Sequence, residues 1–104
     1  MSPAEDALLL LRLAERHLGS LRGTLDPGTF AEEDWGFLAQ QTLEKLLKAL
    51  LVLHCQEPPR SHSLQRLLQE LARYDAELTP LPAERRLLFV QLEAFHAEVR
   101  QRLS

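Results

Sequence analysis

Phe37-Leu38-Ala39-Gln40-Gln41-Thr42-Leu43-Glu44-Lys45-Leu46-Leu47-Lys48-Ala49-Leu50-Leu51 is the stretch on which the fold turns. It contains no glycine or proline, and it is built from residues that lose little freedom in a helix. At 100° per residue Leu38, Thr42, Leu46, Ala49 and Leu53 share one face, while Leu43, Leu47, Leu50 and Leu51 carry the apolar surface round the side. More than half of the circumference is therefore apolar. A helix of this kind, expected from near Asp34 to about His54, must touch two or more neighbours. The remaining arc carries Gln40, Gln41, Glu44, Lys45 and Lys48, with Glu44 four residues ahead of Lys48 as a favourable pair. That arc is expected to be solvated.

The neighbours lie on both sides of this helix. Downstream, Glu57-Pro58-Pro59-Arg60 ends it, because a proline disfavours helical geometry in the residue before it. Ser61 or Ser63 then caps a third helix in which Leu64, Leu67, Leu68 and Leu71 recur at i, i+3, i+4 and i+7, as far as about Ala76. Thr79-Pro80-Leu81-Pro82 is the next break. A fourth helix follows from about Ala83, with Leu88, Leu92, Phe95, Val99 and Leu103 on one stripe. Upstream, Ser2, Pro3 and Glu5 form a capping arrangement for a first helix whose stripe is Ala7, Leu10, Leu11, Ala14, Leu18, Leu21 and Leu25. Leu9 and Leu13 fall off that stripe and suggest a protein contact. Asp26-Pro27-Gly28-Thr29 turns the chain. Short proline-bearing turns between four amphipathic helices predict an all-α antiparallel four-helix bundle, a single domain over residues 1–104.

Composition points the same way. Twenty-five leucines and 11 alanines stand against three valines and no isoleucine, the preferences of helices rather than of strands. Cys55 is the single cysteine, so neither an intramolecular disulfide nor a paired redox motif is available, and its own reading is an inert thiol at a helix end. Met1 to Asp6 lacks a basic region and Arg12 interrupts the apolar run Ala7 to Leu11, so no signal peptide is read there and a cytoplasmic protein is expected. No run approaches the ~20 apolar residues needed to span a bilayer. A formal net charge of -3 argues against strong nonspecific adhesion to nucleic acid but leaves room for a local basic patch.

Among residues that could carry chemistry, Glu93, His96 and Arg100 share one edge of the fourth helix at i, i+3 and i+7. A histidine between a carboxylate and a guanidinium has the make-up of a general acid or base on a phosphodiester, and equally that of a surface salt-bridge ladder, the commoner use of such columns. Arg12 and His17 are five apart but project about 140° from one another on a regular helix, so they do not share a site. His54 sits in the last turn of its helix, where it suits the exposed carbonyls, and His62 opens the third helix. There is no glycine-rich phosphate loop, no His-Glu-x-x-His zinc signature and no nucleophile elbow, so neither a metal site nor a cofactor is expected.

The run Phe37 to Leu51, followed by Glu57-Pro58-Pro59-Arg60-Ser61-His62-Ser63-Leu64, resembles the HEPN domain family. The family pattern reads approximately Ala-Gln-Gln-Ala-Ala-Glu-Lys-x-Leu-Lys-Ala-Leu-Leu, then a proline-bearing turn and a Thr-His-Asp-Leu that opens the next helix. The match covers Trp35 to Leu71 well, with a looser one along the first and fourth helices. The resemblance implies a helical bundle, frequent dimerisation, and work on RNA or nucleotides, often beside a nucleotidyltransferase partner encoded nearby in bacteria and archaea.

Many such relatives are toxin or defence ribonucleases, metal-independent and dependent on an Arg, four to six residues, His motif near the start of the last conserved helix. Here Arg85 and Arg86 precede His96 at too great a distance, and the one matching spacing, Arg12 to His17, lies in the wrong helix. Other relatives carry Arg-Tyr-Pro after the fourth helix and then a further helix. Only Arg100 aligns with that pattern, so the fold is expected to be truncated at the C-terminus relative to the family, exposing apolar surface for a second subunit. The implied function is a noncatalytic or weakly active HEPN protein, with Lys45, Lys48, Arg60, His62 and Arg100 as nucleotide- or RNA-binding candidates and Glu93, His96 and Arg100 as catalytic ones. The alternatives are a helical dimerisation or protein-interaction module with no nucleic-acid role, and a metal-independent ribonuclease.

Overall fold

The computed structural model describes residues 2–26, 28, 30–54, 66, 67, 69 and 84–104. Among these there are three long helices, α1 (Pro3–Arg22), α2 (Glu32–Leu53) and α3 (Arg85–Leu103), and no strand. The count of four helices expected from the sequence is not reached among them. The expected third helix, with Ser61, Ser63, Arg60 and His62 at its start, lies outside the described residues, as do Cys55 and the Thr79–Pro82 break. Arg66, Leu67 and Gln69 of that segment are helical, and Leu67 is fully buried.

Each helix begins for a local reason. The Ser2 hydroxyl accepts from the Glu5 backbone N–H at 3.2 Å and donates to the Glu5 carboxylate at 3.1 Å, with Pro3 at the first helical position. Ala31 starts α2 without a side-chain cap, and Glu32, Glu33 and Asp34 in the first turn instead oppose the positive end of the helix dipole. This acidic turn explains why α2 begins two residues before Asp34. The Glu84 carboxylate caps α3 by accepting from the Arg86 N–H at 3.2 Å.

The stripe read for α1 faces the core: Ala7, Leu11, Ala14, Leu18 and Leu21 are buried, and Leu10 and Leu25 pack at its margin. Along α3 the buried set is Phe89, Leu92, Phe95 and Val99, with Leu88 and Leu103 only partly covered. Phe89 takes the place expected for Leu88. At α2 the enclosure goes further than the sequence suggested. Ten of its eleven buried residues run from Ala39 to Val52, the eleventh being Trp35, and they include Thr42 and Glu44. Thr42 satisfies its hydroxyl by donating to Leu38 O at 2.8 Å.

The solvated arc expected on α2 is corrected by this packing. Gln40 is exposed, but Gln41, Lys45 and Lys48 are half-buried and Glu44 is only 2 % exposed. A carboxylate taken out of water needs charged or hydrogen-bonding company, and Lys48 Nζ provides some of it at 3.2 Å from Glu44 Oε1. The pair spaced at i,i+4 is therefore part of the packed interior rather than of a wet face.

Arg85 ties the elements together. Its guanidinium is buried and donates from Nε to Glu32 Oε1 at 2.6 Å, from Nη1 to Thr24 O at 2.9 Å and Asp26 O at 3.4 Å, and from Nη2 to Phe30 O at 2.6 Å. It also lies 5.5 Å from the ring centroid of buried Trp35. The first residue of α3 thus holds the α1–α2 connection and the start of α2. Ion pairs Glu15–His96 and Arg22–Glu93 show that α3 runs antiparallel to α1, while the Arg85–Glu32 pair puts the N-termini of α2 and α3 at the same end.

Arg85→Ala is expected to destabilise the fold by about 3 kcal/mol, because it leaves several carbonyls and the Trp35 face without their cation. Arg85→Lys should recover little of this, since one ammonium cannot serve both carbonyl groups and Glu32 in a planar fork. Urea unfolding followed by far-UV circular dichroism measures both, and near-wild-type stability of Arg85→Ala would refute the role.

Candidate functional site

The three α3 residues singled out by spacing do not pair with one another. His96, Glu93 and Phe89 occupy the edge of α3 that meets α1, where the matching column on α1 is Glu15 and Arg22, seven residues apart. The Glu15 carboxylate accepts from His96 Nε2 at 3.0 Å, and Arg22 Nη2 donates to Glu93 Oε2 at 3.3 Å. The Arg22 guanidinium also sits 5.6 Å from the centroid of the Phe89 ring. The column expected on one helix is thus resolved into rungs between two.

Glu15, Leu18, Gly19, Arg22 and His96 enclose a cleft of about 130 Å³ on this seam. Besides Leu18 and Gly19 it is lined by the Arg22 guanidinium and the His96 imidazole, each already facing a carboxylate. His96 is mostly covered, whereas Arg22 is well exposed. Arg100 lies one turn beyond His96 along α3, exposed and with no ion pair among the described residues. At the same end of the seam Arg12 precedes Glu15 by one turn of α1. Arg12 is exposed and lines a separate depression of about 240 Å³ with Glu5, Leu8 and Leu9.

The other expected site residues are dispersed. Lys45 and Lys48 belong to the half-buried side of α2, and Lys48 is engaged with Glu44. Arg60 and His62 lie outside the described residues. His54 closes α2 through its backbone N–H, which reaches both Leu50 O and Leu51 O at 3.1 Å. Glu15, Gly19, Arg22 and Phe89 were not singled out from the sequence. Their signal was present only as the i,i+7 spacing of Glu15 and Arg22 on α1 and of Phe89 and His96 on α3, which means nothing until the two helices are placed side by side.

Chemically the cleft offers an anionic or planar group the side chains of Arg22 and His96, with Arg100 one turn beyond His96. General-base work by His96 would require a ring nitrogen to reach a substrate proton, and the contact with Glu15 is made through Nε2 alone. Among the described residues no group of three histidine, cysteine or acidic side chains is arranged to hold a metal ion, and no helix is long and apolar enough to cross a membrane.

The family model of the HEPN domain matches residues 7–102, nearly the whole chain. No curated protein and no solved structure matches it significantly.

The seam's ion pairs are expected to be weak and its aromatic contact strong. Glu15→Gln should change stability by less than about 1 kcal/mol, as for partly exposed pairs. Phe89→Ala should cost about 3 kcal/mol or more through the cavity it leaves. A Glu15/His96 double-mutant cycle in urea reads the pair directly, and a coupling well above 1 kcal/mol would contradict this assignment.

Proposed function

This chain belongs to the HEPN domain family, and from that premise we propose that it acts by binding, as a noncatalytic or weakly active HEPN protein that engages a nucleotide or RNA through the α1–α3 seam. The observation that carries this reading is that the arginines preceding His96 are used elsewhere. Arg85 is held in the interior and Arg86 donates to Asp26 at 2.7 Å. Neither arginine lies four to six residues before His96, so the family's ribonuclease spacing is missing as well. What the seam retains is exposed cationic character in Arg22, Arg100 and Arg12 beside a small cleft, which suits a phosphate better than it suits bond cleavage.

The protein partner in this proposal is a nucleotidyltransferase, in a toxin-antitoxin or defence pair, and co-purification with such a protein encoded beside this one tests it. For ligand binding, fluorescence polarisation with labelled AMP and with a short single-stranded RNA is the direct measurement. The wild type should bind, more weakly as salt is raised, and His96→Ala/Arg100→Ala should bind at least tenfold more weakly. Equal binding by both proteins would end the reading. RNA cleavage without added metal that His96→Ala abolishes would favour a ribonuclease instead.

A second reading, a homodimer, is favoured by a different surface. Leu87 and Val90 are 58 % and 63 % exposed, and with Ala94 and Ala97 they form a stripe at i, i+3, i+7 and i+10 on the outer face of α3. The surface expected for a second subunit was Leu9, Leu13 and the broad stripe of α2. Leu9 is indeed exposed, but Leu13 is half-buried, and of the α2 leucines Leu38 and Leu53 are partly buried and the others interior. Light scattering at micromolar concentration should give a dimer mass for the wild type and a monomer for Leu87→Glu/Val90→Glu. A monomeric wild type would remove the dimer.

A further inference from the structure

Gly19 is a glycine inside a helix, where it costs stability relative to alanine, and neither packing nor backbone geometry requires it. A Cβ built on it meets nothing within 4 Å, so no neighbouring chain approaches it closely, and its backbone is ordinary right-handed helix. Gly36 in α2 is equally free of neighbours, so an open glycine alone carries no meaning. What distinguishes Gly19 is its place, exposed at the edge of the cleft that it lines together with Glu15, Leu18, Arg22 and His96.

We propose that Gly19 is the specificity-determining residue of this cleft, its missing side chain leaving room for one phosphoryl group of a nucleotide or RNA between Arg22 and His96. The proposal rests on the binding function above and adds what sets the admitted size. A side chain at position 19 would lean back along α1 toward Glu15, one turn away, and so over the mouth of the cleft that Glu15, Arg22 and His96 line. The carboxylates now facing the bases do not exclude an anion. Glu15 and Glu93 are each close to half exposed, and a pair of that kind is weak enough for a phosphoryl group, which accepts from several donors, to displace.

The test compares the wild type with Gly19→Ala, Gly19→Leu and Gly19→Glu, using labelled AMP and a short single-stranded RNA as probes and thermal melting as the control for folding. Gly19→Ala should melt about 4 °C higher, as expected for an exposed helical glycine with open space around it. Gly19→Leu should bind at least tenfold more weakly while remaining folded. Gly19→Glu, a good helix former whose carboxylate reaches the same space, should lose at least as much and keeps the test valid if the leucine variant misfolds. Loss with AMP and RNA alike identifies the shared phosphate; loss with one probe alone identifies the source. If the wild type binds in a manner that depends on His96 and Arg100 while folded Gly19 variants bind equally well, this inference is overturned and the binding function stands. If the wild type binds neither probe, both are overturned.

Discussion

A guanidinium excluded from water is tolerable only where its donors find acceptors, and in this protein that requirement organises the end of the bundle at which three helix termini meet. Arg85 faces Glu32, Trp35 and the carbonyls of Thr24, Asp26 and Phe30. These acceptors come from the α1–α2 connection and the first turn of α2, and the donor is the first residue of α3. These contacts join the start of α3 to the end of the α1–α2 connection and so help to set the position of α3 along α1. The contacts farther along the seam, including His96 on Glu15 and Glu93 on Arg22, share that register.

The other constraint is the enclosure of α2. A helix with apolar residues on more than half its surface has to be surrounded, and surrounding it brings part of its polar arc inside as well. Glu44 is tolerated there through Lys48 and further interaction, which leaves Lys48 committed to the interior. Burial of leucine on this scale contributes on the order of 2 kcal/mol per side chain, so a single ionic pair is a small perturbation on the whole. Among the described residues the exposed cations beside the cleft are those of α1 and α3, and the candidate site is placed on the seam between them.

The seam itself is shallow, and its ionic rungs are largely accessible to water. Such pairs contribute little to stability, so their arrangement is not explained by a need to hold the helices together. The hydrophobic contacts of Leu11, Leu18, Phe89 and Leu92 already do that. Rungs that are dispensable for folding are free to be exchanged for other contacts, which is the premise of the binding function proposed for this seam.

Much of the local structure was legible in the residues themselves. The Ser2 cap, the core stripe of α1, the α3 stripe through Leu92, Phe95 and Val99, and the multi-sided burial of α2 follow from capping chemistry and from the 100° step between successive helical residues. The resemblance to the family rested on the runs Phe37 to Leu51 and Glu57 to Leu64, and the match over residues 7–102 agrees. The candidate site was legible only in half. His96, Glu93 and Arg100 could be found because one helix places them on one edge, whereas Glu15, Gly19, Arg22 and the interior role of Arg85 could not. Periodicity determines which face of a helix is apolar and says nothing about which charged residue of another helix will oppose it. That pairing is decided by the register between helices, which is set in part by a buried guanidinium whose acceptors lie more than fifty residues away in the chain.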